Sequence, residues 1–308
     1  MALRIDFADF WPNFKKEDNY FYHLLNTKYD VIIDGKNPDL LFFSVDYDRR
    51  RERDRYADFP CKRVFFTGEN VSANLNFPGS IEYPRYSIGK SDFAFTFEHT
   101  TDPRSYRLPL WCIYIDWFDS APDEQRDPSY LVPLDNLLNR QVKNKDKFCN
   151  FVFSNPSGER VDIMRTLSSY KHIDCAGRLA NNTGYLVPGR GDHKTKVDFL
   201  SNYKFTIAAE NAKGNGYTTE KILHPLSVGS IPIYWGCERV HQDFNKDCFI
   251  DVNNFSSLKK MVDYVKMVDN DSALWACYLS APVFPNNEIP ESVKPKNILK
   301  FFEEKILC

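Results

Sequence analysis

The segment from Tyr203 to Gly236 constrains the fold more than any other part of the chain. Its sequence reads YKFTIAAENAKGNGYTTEKILHPLSVGSIPIYWG. This pattern predicts a strand over Lys204–Ala209, a polar glycine-rich loop over Glu210–Tyr217, a helix, and a second strand over Ile231–Trp235. A strand, a helix and a strand in this order are typical of a parallel α/β sheet.

Small residues mark the turns within this segment. Gly214 and Gly216 lie in the loop, where they permit tight turns and a close approach of the backbone to a ligand. Thr218 or Thr219 can cap the helix that follows, because a side-chain oxygen at that position accepts a free backbone N–H. Gly229 is placed to end the helix.

The start of this helix carries an adjacent carboxylate and ammonium, Glu220 and Lys221. Free N–H groups and the helix dipole favour a phosphate there, Lys221 adds a positive charge, and Glu220 can accept two hydrogen bonds from a ribose diol. Pro225 lies inside the helix and is expected to kink it or to loosen its first turn. From spacing alone two interpretations stay open: a metal-free site for a nucleotide-activated substrate, and a solvated helix start behind ordinary turn glycines.

Short apolar and β-branched runs alternate with helical patterns along both halves of the chain. In the first half we expect a helix over Asn19–Asn26 and strands over Leu3–Phe7, Tyr29–Ile33, Leu40–Val45, Arg63–Thr67, Asp92–Phe97 and Leu108–Trp111. In the second half we expect strands over Phe148–Ser154 and Phe249–Val252, and helices over Arg160–Ser169, Thr195–Asn202, Ser256–Val268 and about residues 296–306.

Residues 119–147 separate these two patterns. Proline, aspartate and lysine dominate there, which is typical of a connection between domains. We therefore expect two α/β domains, residues 1–147 and 148–308, with the last helix able to pack back on the first. Two facing Rossmann-like sheets would enclose a cleft, and the carboxyl ends of their strands would supply the site residues.

Composition and charge exclude several classes of protein. The net charge of −2 offers no basic field for nucleic acid, and no apolar run approaches the roughly 18 residues that span a bilayer. Charged residues among the first ten leave no apolar core of a signal peptide. The eight scattered cysteines fit neither a zinc site nor a dense disulfide framework, and suit a reducing compartment. We expect a cytoplasmic protein, or the soluble catalytic part of a membrane-anchored enzyme.

One short motif could hold a metal. Asp46 and Asp48 have the D-x-D spacing that some glycosyltransferases use for Mn²⁺. They abut the charge run Arg49–Arg55, so pairing with arginine is the better interpretation. The six histidines show no paired ligand spacing. We therefore expect no metal and no cofactor.

Several motifs together resemble the α-1,3-fucosyltransferases, glycosyltransferase family 10, and bacterial members in particular. The family pattern Y-K-F, F-E-N, Y-V-T-E-K and I/V-P-I/V-Y/V-W/x-G is similar to residues 203–205, 209–211, 217–221 and 231–236, with Ala209, Thr218 and Pro225 as departures. RVFFTGEN at residues 63–70 resembles the family's R-V-F-x-T-G-E-N. FSNP at 153–156 followed by Arg160, and CAGR at 175–178 followed by Asn181 and Asn182, resemble two further elements. The similar pieces run from about residue 62 to residue 268.

This resemblance implies an inverting transfer of L-fucose from GDP-fucose on a two-domain GT-B scaffold, without a metal. It implies that Glu69 is the general base. It also assigns donor-binding residues by motif: Arg160 and Lys221 on the diphosphate, Glu220 on the ribose, and Asn211, Tyr217 and Arg178 as further contacts.

The expected position of Glu69 suits that role. It follows a strand and Gly68, so its carboxylate should project from the carboxyl edge of the sheet into the cleft. A base there could take the proton of an attacking hydroxyl. Without the motif, a structural carboxylate that caps the following loop would be the simpler interpretation.

The acceptor is not determined by these motifs. N-acetyllactosamine or another GlcNAc-containing glycan would fit the family, in α-1,3 or α-1,4 linkage. Two different functions stay open beside this one: a transferase of the same scaffold that uses another nucleotide sugar, and a non-catalytic protein that binds nucleotides or glycans.

Overall fold

The structure is a computed structural model, which describes residues 2–45, 60–70, 91–120, 130–140, 144–188 and 193–308. Its first half forms a sheet of six parallel strands in the order β2-β1-β3-β4-β5-β6. Because all six strands are parallel, their carboxyl ends meet at one edge. The elements are β1 (Ala2–Ala8), α1 (Tyr20–Asn26), β2 (Asp30–Ile33), β3 (Leu40–Phe43), β4 (Lys62–Phe66), β5 (Phe93–Thr96) and β6 (Ser105–Arg107).

Aromatic side chains fill the core of this sheet. Phe42 in β3 stacks on Phe7 in β1 at 5.1 Å between ring centroids and on Phe21 in α1 at 4.9 Å. All four residues of β3 are buried, as expected for a strand covered on both faces. The high phenylalanine content of the chain therefore serves largely for packing in this half.

A short connection links the two sheets. It holds a 3₁₀ helix over Leu110–Tyr114, the paired strands β7 (Ile115–Asp116) and β8 (Val132–Pro133), and α2 (Asp135–Leu138). The predicted strand over Leu108–Trp111 is wrong. Pro109 cannot donate to a strand ladder, and the Trp111 backbone N–H donates instead to the Thr218 carbonyl in the second half at 3.3 Å.

The second half forms a sheet of five parallel strands in the order β10-β9-β11-β12-β13. Its elements are β9 (Lys147–Phe151), α3 (Gly158–Ser168), β10 (Ile173–Cys175), α4 (His193–Leu200), β11 (Tyr203–Ala209), α5 (Glu220–Ser227), β12 (Ile231–Trp235), β13 (Ile250–Asp251), α6 (Leu258–Asn270), α7 (Ser272–Ser280) and α8 (Pro295–Phe301), with a π-helical turn over Phe302–Ile306. Short 3₁₀ turns cover Val240–Gln242, Lys246–Cys248, Val252–Asn254, Pro285–Asn287 and Glu291–Val293.

Two elements of this half escape sequence reasoning. Strand β10 has three residues, with a charged one between two apolar ones. It is too short for an alternation of apolar and polar residues to indicate a strand. Helix α7 follows α6 almost directly. Asp271 ends α6 and caps α7, because its carboxylate accepts the N–H groups of Ala273 and Leu274 at 2.9 and 3.0 Å.

The last helical segment returns to the first sheet. Phe302 is fully buried and stacks on Phe95 of β5 at 5.0 Å. The Lys62 ammonium at the start of β4 donates to the Ile306 carbonyl at 2.6 Å. The two parallel sheets confirm the predicted α/β class, whereas a domain division between residues 147 and 148 stays a prediction.

Candidate active site

The loop Glu210–Tyr217, called the glycine loop below, lies against the carboxyl edge of the first sheet. The Asn70 side-chain amide donates to the Ala212 and Lys213 carbonyls at 3.4 and 3.1 Å. At Gly216 a Cβ atom would lie 2.2 Å from the Phe97 carbonyl oxygen, just past β5. The glycine loop of the second half therefore meets the ends of β4 and β5.

Helix α5 begins directly after the glycine loop. Thr219 caps it, since its hydroxyl accepts the Lys221 N–H at 3.4 Å. Its carboxyl end has the Schellman pattern, with Gly229 at φ +67° and the Ser230 N–H donating to the Pro225 carbonyl at 2.9 Å. The predicted cap and the predicted glycine stop are confirmed, and Pro225 lies inside the helix as predicted.

A cavity of about 470 Å³ opens between α3, α5 and the loops that follow β9 and β10. Five of the six predicted donor-binding residues line it: Arg160, Arg178, Asn211, Glu220 and Lys221. Lys196 of α4 also lines it. Among these side chains four are cationic and one is a carboxylate, so the walls favour an anionic ligand.

Arg160 is held at the base of this cavity. It is 2% exposed, and its Nη1 donates to Asn211 Oδ1 at 2.9 Å and to the Asn155 carbonyl at 3.1 Å. Burial lowers the pKa of its guanidinium, against the opposing effect of nearby carboxylates. Its Nε is buried without a hydrogen-bond partner among the described residues, which is a rare and costly state for a charged donor.

Glu220 and two lysines form a charge cluster in the lining of this cavity. Lys196 Nζ lies 3.4 Å and Lys221 Nζ 3.7 Å from Glu220 Oε1. Burial alone would raise the pKa of Glu220, but the two ammonium groups outweigh it and hold that pKa well below its usual range. Burial alone would lower the pKa of Lys221, but the neighbouring carboxylates raise it. Glu220 and Lys221 are therefore both charged at neutral pH.

Glu210 supports this wall from behind and was assigned no role from sequence. It is fully buried, and its carboxylate accepts the Thr219 N–H and hydroxyl at 2.8 and 2.9 Å. Lys221 Nζ lies 3.2 Å from its other oxygen. Burial raises its pKa, with Lys221 acting in the opposite direction. Its place in the quoted F-E-N pattern was the only sequence signal. Lys196 gave none.

The two remaining predicted residues lie outside the cavity lining. Tyr217 is buried and packs edge-on against Phe97 at 5.0 Å, with its hydroxyl 3.5 Å from the Gly68 carbonyl. Glu69 is half-buried at the end of β4, where its N–H donates to Thr67 Oγ1 at 3.0 Å. Tyr217 thus lies between the two halves, and Glu69 is one residue from that contact.

The described residues provide neither a metal cluster nor a membrane-spanning helix. Among them, no group of three or more His, Cys, Asp or Glu side chains could hold a metal ion. No described helix is both long enough and apolar enough to cross a membrane. The D-x-D motif at Asp46 and Asp48 lies outside the described residues.

Two family models match the chain side by side. The N-terminal domain of the α-(1,3)-fucosyltransferase FucT matches residues 5–114, and the C-terminal part of glycosyltransferase family 10, the fucosyltransferases, matches residues 142–281. Together the models cover both sheets, the glycine loop and every predicted site residue.

Curated relatives agree with these models. An α-(1,3)-fucosyltransferase FucT of Helicobacter pylori is 30% identical in an alignment of 294 positions that covers 86% of this chain and 56% of the relative. A GDP-fucose protein O-fucosyltransferase 3 of Xenopus tropicalis is 28% identical in an alignment of 266 positions that covers 78% of this chain and 53% of that protein. The chain spans about half the length of these relatives.

Solved structures extend the likeness to the whole fold. A crystal structure of an α1,3-fucosyltransferase superposes on this chain with a TM-score of 0.72 at 25% sequence identity. The superposition covers 98% of this chain and 89% of the crystallised chain. A structure of an α1,3-fucosyltransferase with GDP-fucose gives a TM-score of 0.69. This likeness confirms the predicted GT-B type of fold. The chain therefore belongs to glycosyltransferase family 10, the fucosyltransferase family.

Proposed function

We propose that this chain transfers L-fucose from GDP-fucose to a hydroxyl of a GlcNAc-containing glycan, in α-1,3 linkage and with inversion. Glu69 is the general base, and no metal takes part. The observation that carries the proposal is the cationic cavity at the start of α5. The glycine loop, whose Asn211 lines this cavity, accepts hydrogen bonds from Asn70, the residue next to Glu69. Family membership supplies the class of donor.

The cavity walls suit a nucleoside diphosphate. Arg160 and Lys221, which both line the cavity, present positive charge to the two phosphates. Glu220, kept ionised by its lysine neighbours, is an acceptor for the ribose diol. Asn211 and Arg178 contact the donor from the remaining walls.

The chemical step is a single displacement. The acceptor hydroxyl attacks the anomeric carbon of fucose, the bond from that carbon to the phosphate oxygen breaks, and the hydroxyl proton passes to the Glu69 carboxylate. Attack on the face opposite the leaving group inverts the anomeric centre. Negative charge grows on the departing GDP, where Arg160 and Lys221 stabilise it in place of a divalent cation.

One comparison favours a second class of acceptor. The relatives include GDP-fucose protein O-fucosyltransferases, so a serine or threonine hydroxyl of a protein is the second candidate beside a glycan. A transferase that uses another nucleotide sugar and a non-catalytic binding protein are the competing functions, and the experiments below distinguish them from fucose transfer.

Replacement of the base tests the mechanism. We expect Glu69→Gln to lower the rate of fucose transfer by about 10²–10⁴-fold, because the amide cannot accept the hydroxyl proton. GDP affinity measured by calorimetry should stay unchanged. Glu17→Gln, at an exposed position, is the control and should leave both unchanged. Full transfer by a folded Glu69→Gln variant would disprove the role of Glu69.

A screen of acceptors tests the substrate and the metal. The chain is incubated with GDP-fucose and N-acetyllactosamine, other GlcNAc-containing glycans, or folded protein domains, and the products are analysed for linkage. Transfer to a glycan that persists in EDTA is expected. Transfer to proteins alone would favour the second acceptor class. Strict dependence on Mn²⁺ would contradict the metal-free mechanism and favour Asp46 and Asp48 as metal ligands.

A further inference from the structure

Glu98 lies at the same edge of the first sheet as Glu69, one strand further along. Strands β4 and β5 pair in parallel, with Phe66 opposite Phe95. Glu69 is the third residue after Phe66, and Glu98 is the third residue after Phe95. The two glutamates therefore follow the paired ends of adjacent parallel strands at the same distance along the chain.

The segment that holds Glu98 also contacts the glycine loop. A Cβ atom at Gly216 would lie 2.2 Å from the carbonyl oxygen of Phe97 and 3.2 Å from the ring of His99. Glu98 stands between these two residues. It is thus fixed on the side of the first sheet that faces the donor half, without lining the donor cavity itself.

The Glu98 carboxyl is half-buried and makes no hydrogen bond or ion pair with any described residue. Burial raises its pKa, and no charged partner in the described part of the chain acts on it. A partly desolvated carboxyl without a donor is costly, and in native proteins such groups concentrate at functional sites. Structural stability gives no reason for a carboxyl at this position.

We propose that Glu98 binds the acceptor, by accepting a hydrogen bond from a hydroxyl of the acceptor sugar next to the hydroxyl that Glu69 deprotonates. This inference rests on the proposed function. The acceptor must reach the cleft from the side of the first sheet, because the second half holds the donor. Neighbouring strands lie about 4.8 Å apart, so side chains that follow β4 and β5 can reach neighbouring hydroxyls of one sugar. Glu69 would then act on one hydroxyl while Glu98 fixes its neighbour.

Kinetics of Glu98→Gln and Glu98→Ala separate this role from catalysis and from folding. The amide keeps the size of the side chain but accepts more weakly, and alanine removes the acceptor altogether. We expect the KM for N-acetyllactosamine to rise about 10-fold in Glu98→Gln and more in Glu98→Ala, within the roughly 10- to 150-fold range of a hydrogen bond to a charged group. The kcat, the KM for GDP-fucose and the affinity for GDP should change less than about threefold.

Binding of N-acetyllactosamine in the presence of GDP, followed by saturation-transfer NMR, provides a readout that needs no turnover. Glu69→Gln should retain this binding and Glu98→Gln should weaken it, while Glu288→Gln at an exposed position serves as the control. Equal binding by Glu98→Gln and the unchanged chain would overturn the inference. Failure of the unchanged chain to transfer fucose to any acceptor would instead contradict the proposed function. The comparison of N-acetyllactosamine binding between the unchanged chain and Glu98→Gln would still test the role of Glu98.

Discussion

Glu210 and Lys221 form an ion pair whose lysine also lines the cavity. The carboxylate of Glu210 is fully buried, and Lys221 Nζ lies 3.2 Å from it on the cavity side. Removal of one partner of a buried pair leaves an uncompensated charge, which usually costs more than the pair contributes. Loss of Lys221 would therefore weaken the fold, and it would also remove one cation of the proposed diphosphate site.

A pair of variants separates the two effects. We expect Lys221→Met to lower the free energy of unfolding by about 3–5 kcal/mol, because Glu210 stays buried without its cation, and to weaken GDP binding. The double variant Lys221→Met, Glu210→Gln should regain most of the stability but none of the affinity. Lys194→Met, which removes an exposed lysine, should cost less than about 1 kcal/mol. Denaturant unfolding and GDP calorimetry measure both quantities, and wild-type affinity in Lys221→Met would refute the role in binding.

Residues of this kind could be predicted from sequence only in part. Glu220 and Lys221 were found because they adjoin at a helix start, a local pattern that survives without tertiary structure. Lys196 reaches Glu220 from the preceding helix, and nothing in its local sequence distinguishes it from a surface lysine. The burial that gives these charges their effect is a property of the assembled fold.

At the scale of elements, the glycine loop is held by its close contact with β5. Gly216 combines φ +92° with a position where a Cβ atom would lie 2.2 Å from the Phe97 carbonyl oxygen. Backbone oxygen cannot move aside as a flexible side chain can. A larger residue there would push the glycine loop away from the ends of β4 and β5, and would disturb the proposed placement of the donor beside Glu69.

Three glycine-to-alanine variants test this contact. Gly184 also has positive φ, +76°, but open space around it, so Gly184→Ala isolates the backbone strain of about 1–2 kcal/mol. Gly158 has open space and no positive φ, and Gly158→Ala should be neutral or slightly stabilising. Gly216→Ala should destabilise more than Gly184→Ala and should alone lower fucose transfer, by at least about tenfold, as expected when a contact misplaces the reactants. Equal stability of the Gly184 and Gly216 variants would show that the close contact is unimportant.

Most strands of both sheets were predictable, because a short apolar run between polar breaks is typical of a buried strand. Strands β6 and β10 were not, since each has only three residues and includes polar or charged ones. The helix and strand around the glycine loop were predictable for the same reason, and β12 matches its predicted bounds. Leu110–Tyr114 has the same apolar character but folds as a 3₁₀ helix, since Trp111 bonds to Asp243 and to Thr218 in the other half. Contacts between the two halves of the chain therefore decide the structure of this segment, and such contacts cannot be predicted from the local sequence.

At the scale of the whole molecule, one apolar core extends from the first sheet into the second half, and a second core lies within the second half. Trp111 packs on Phe244 at 5.0 Å between ring centroids, and Phe302 inserts among the rings of the first sheet. Arg107 at the end of β6 makes two hydrogen bonds, of 2.8 and 2.7 Å, to the buried Asp243. Contacts that are buried and apolar favour cooperative unfolding over independent motion of the halves.

Ligand-linked unfolding tests this coupling. Phe302→Ala removes a buried ring from the first core and should lower stability by about 3–5 kcal/mol, and Phe148→Ala should do the same in the second core. If the halves unfold together, each variant shows one transition. GDP at about 100 times its Kd then stabilises both variants by about 2.7 kcal/mol, although its proposed site is in the second half. Calorimetric melting curves with and without GDP measure this. Two transitions, of which GDP moved only the one sensitive to Phe148→Ala, would instead establish two independent domains and support a boundary near residue 147.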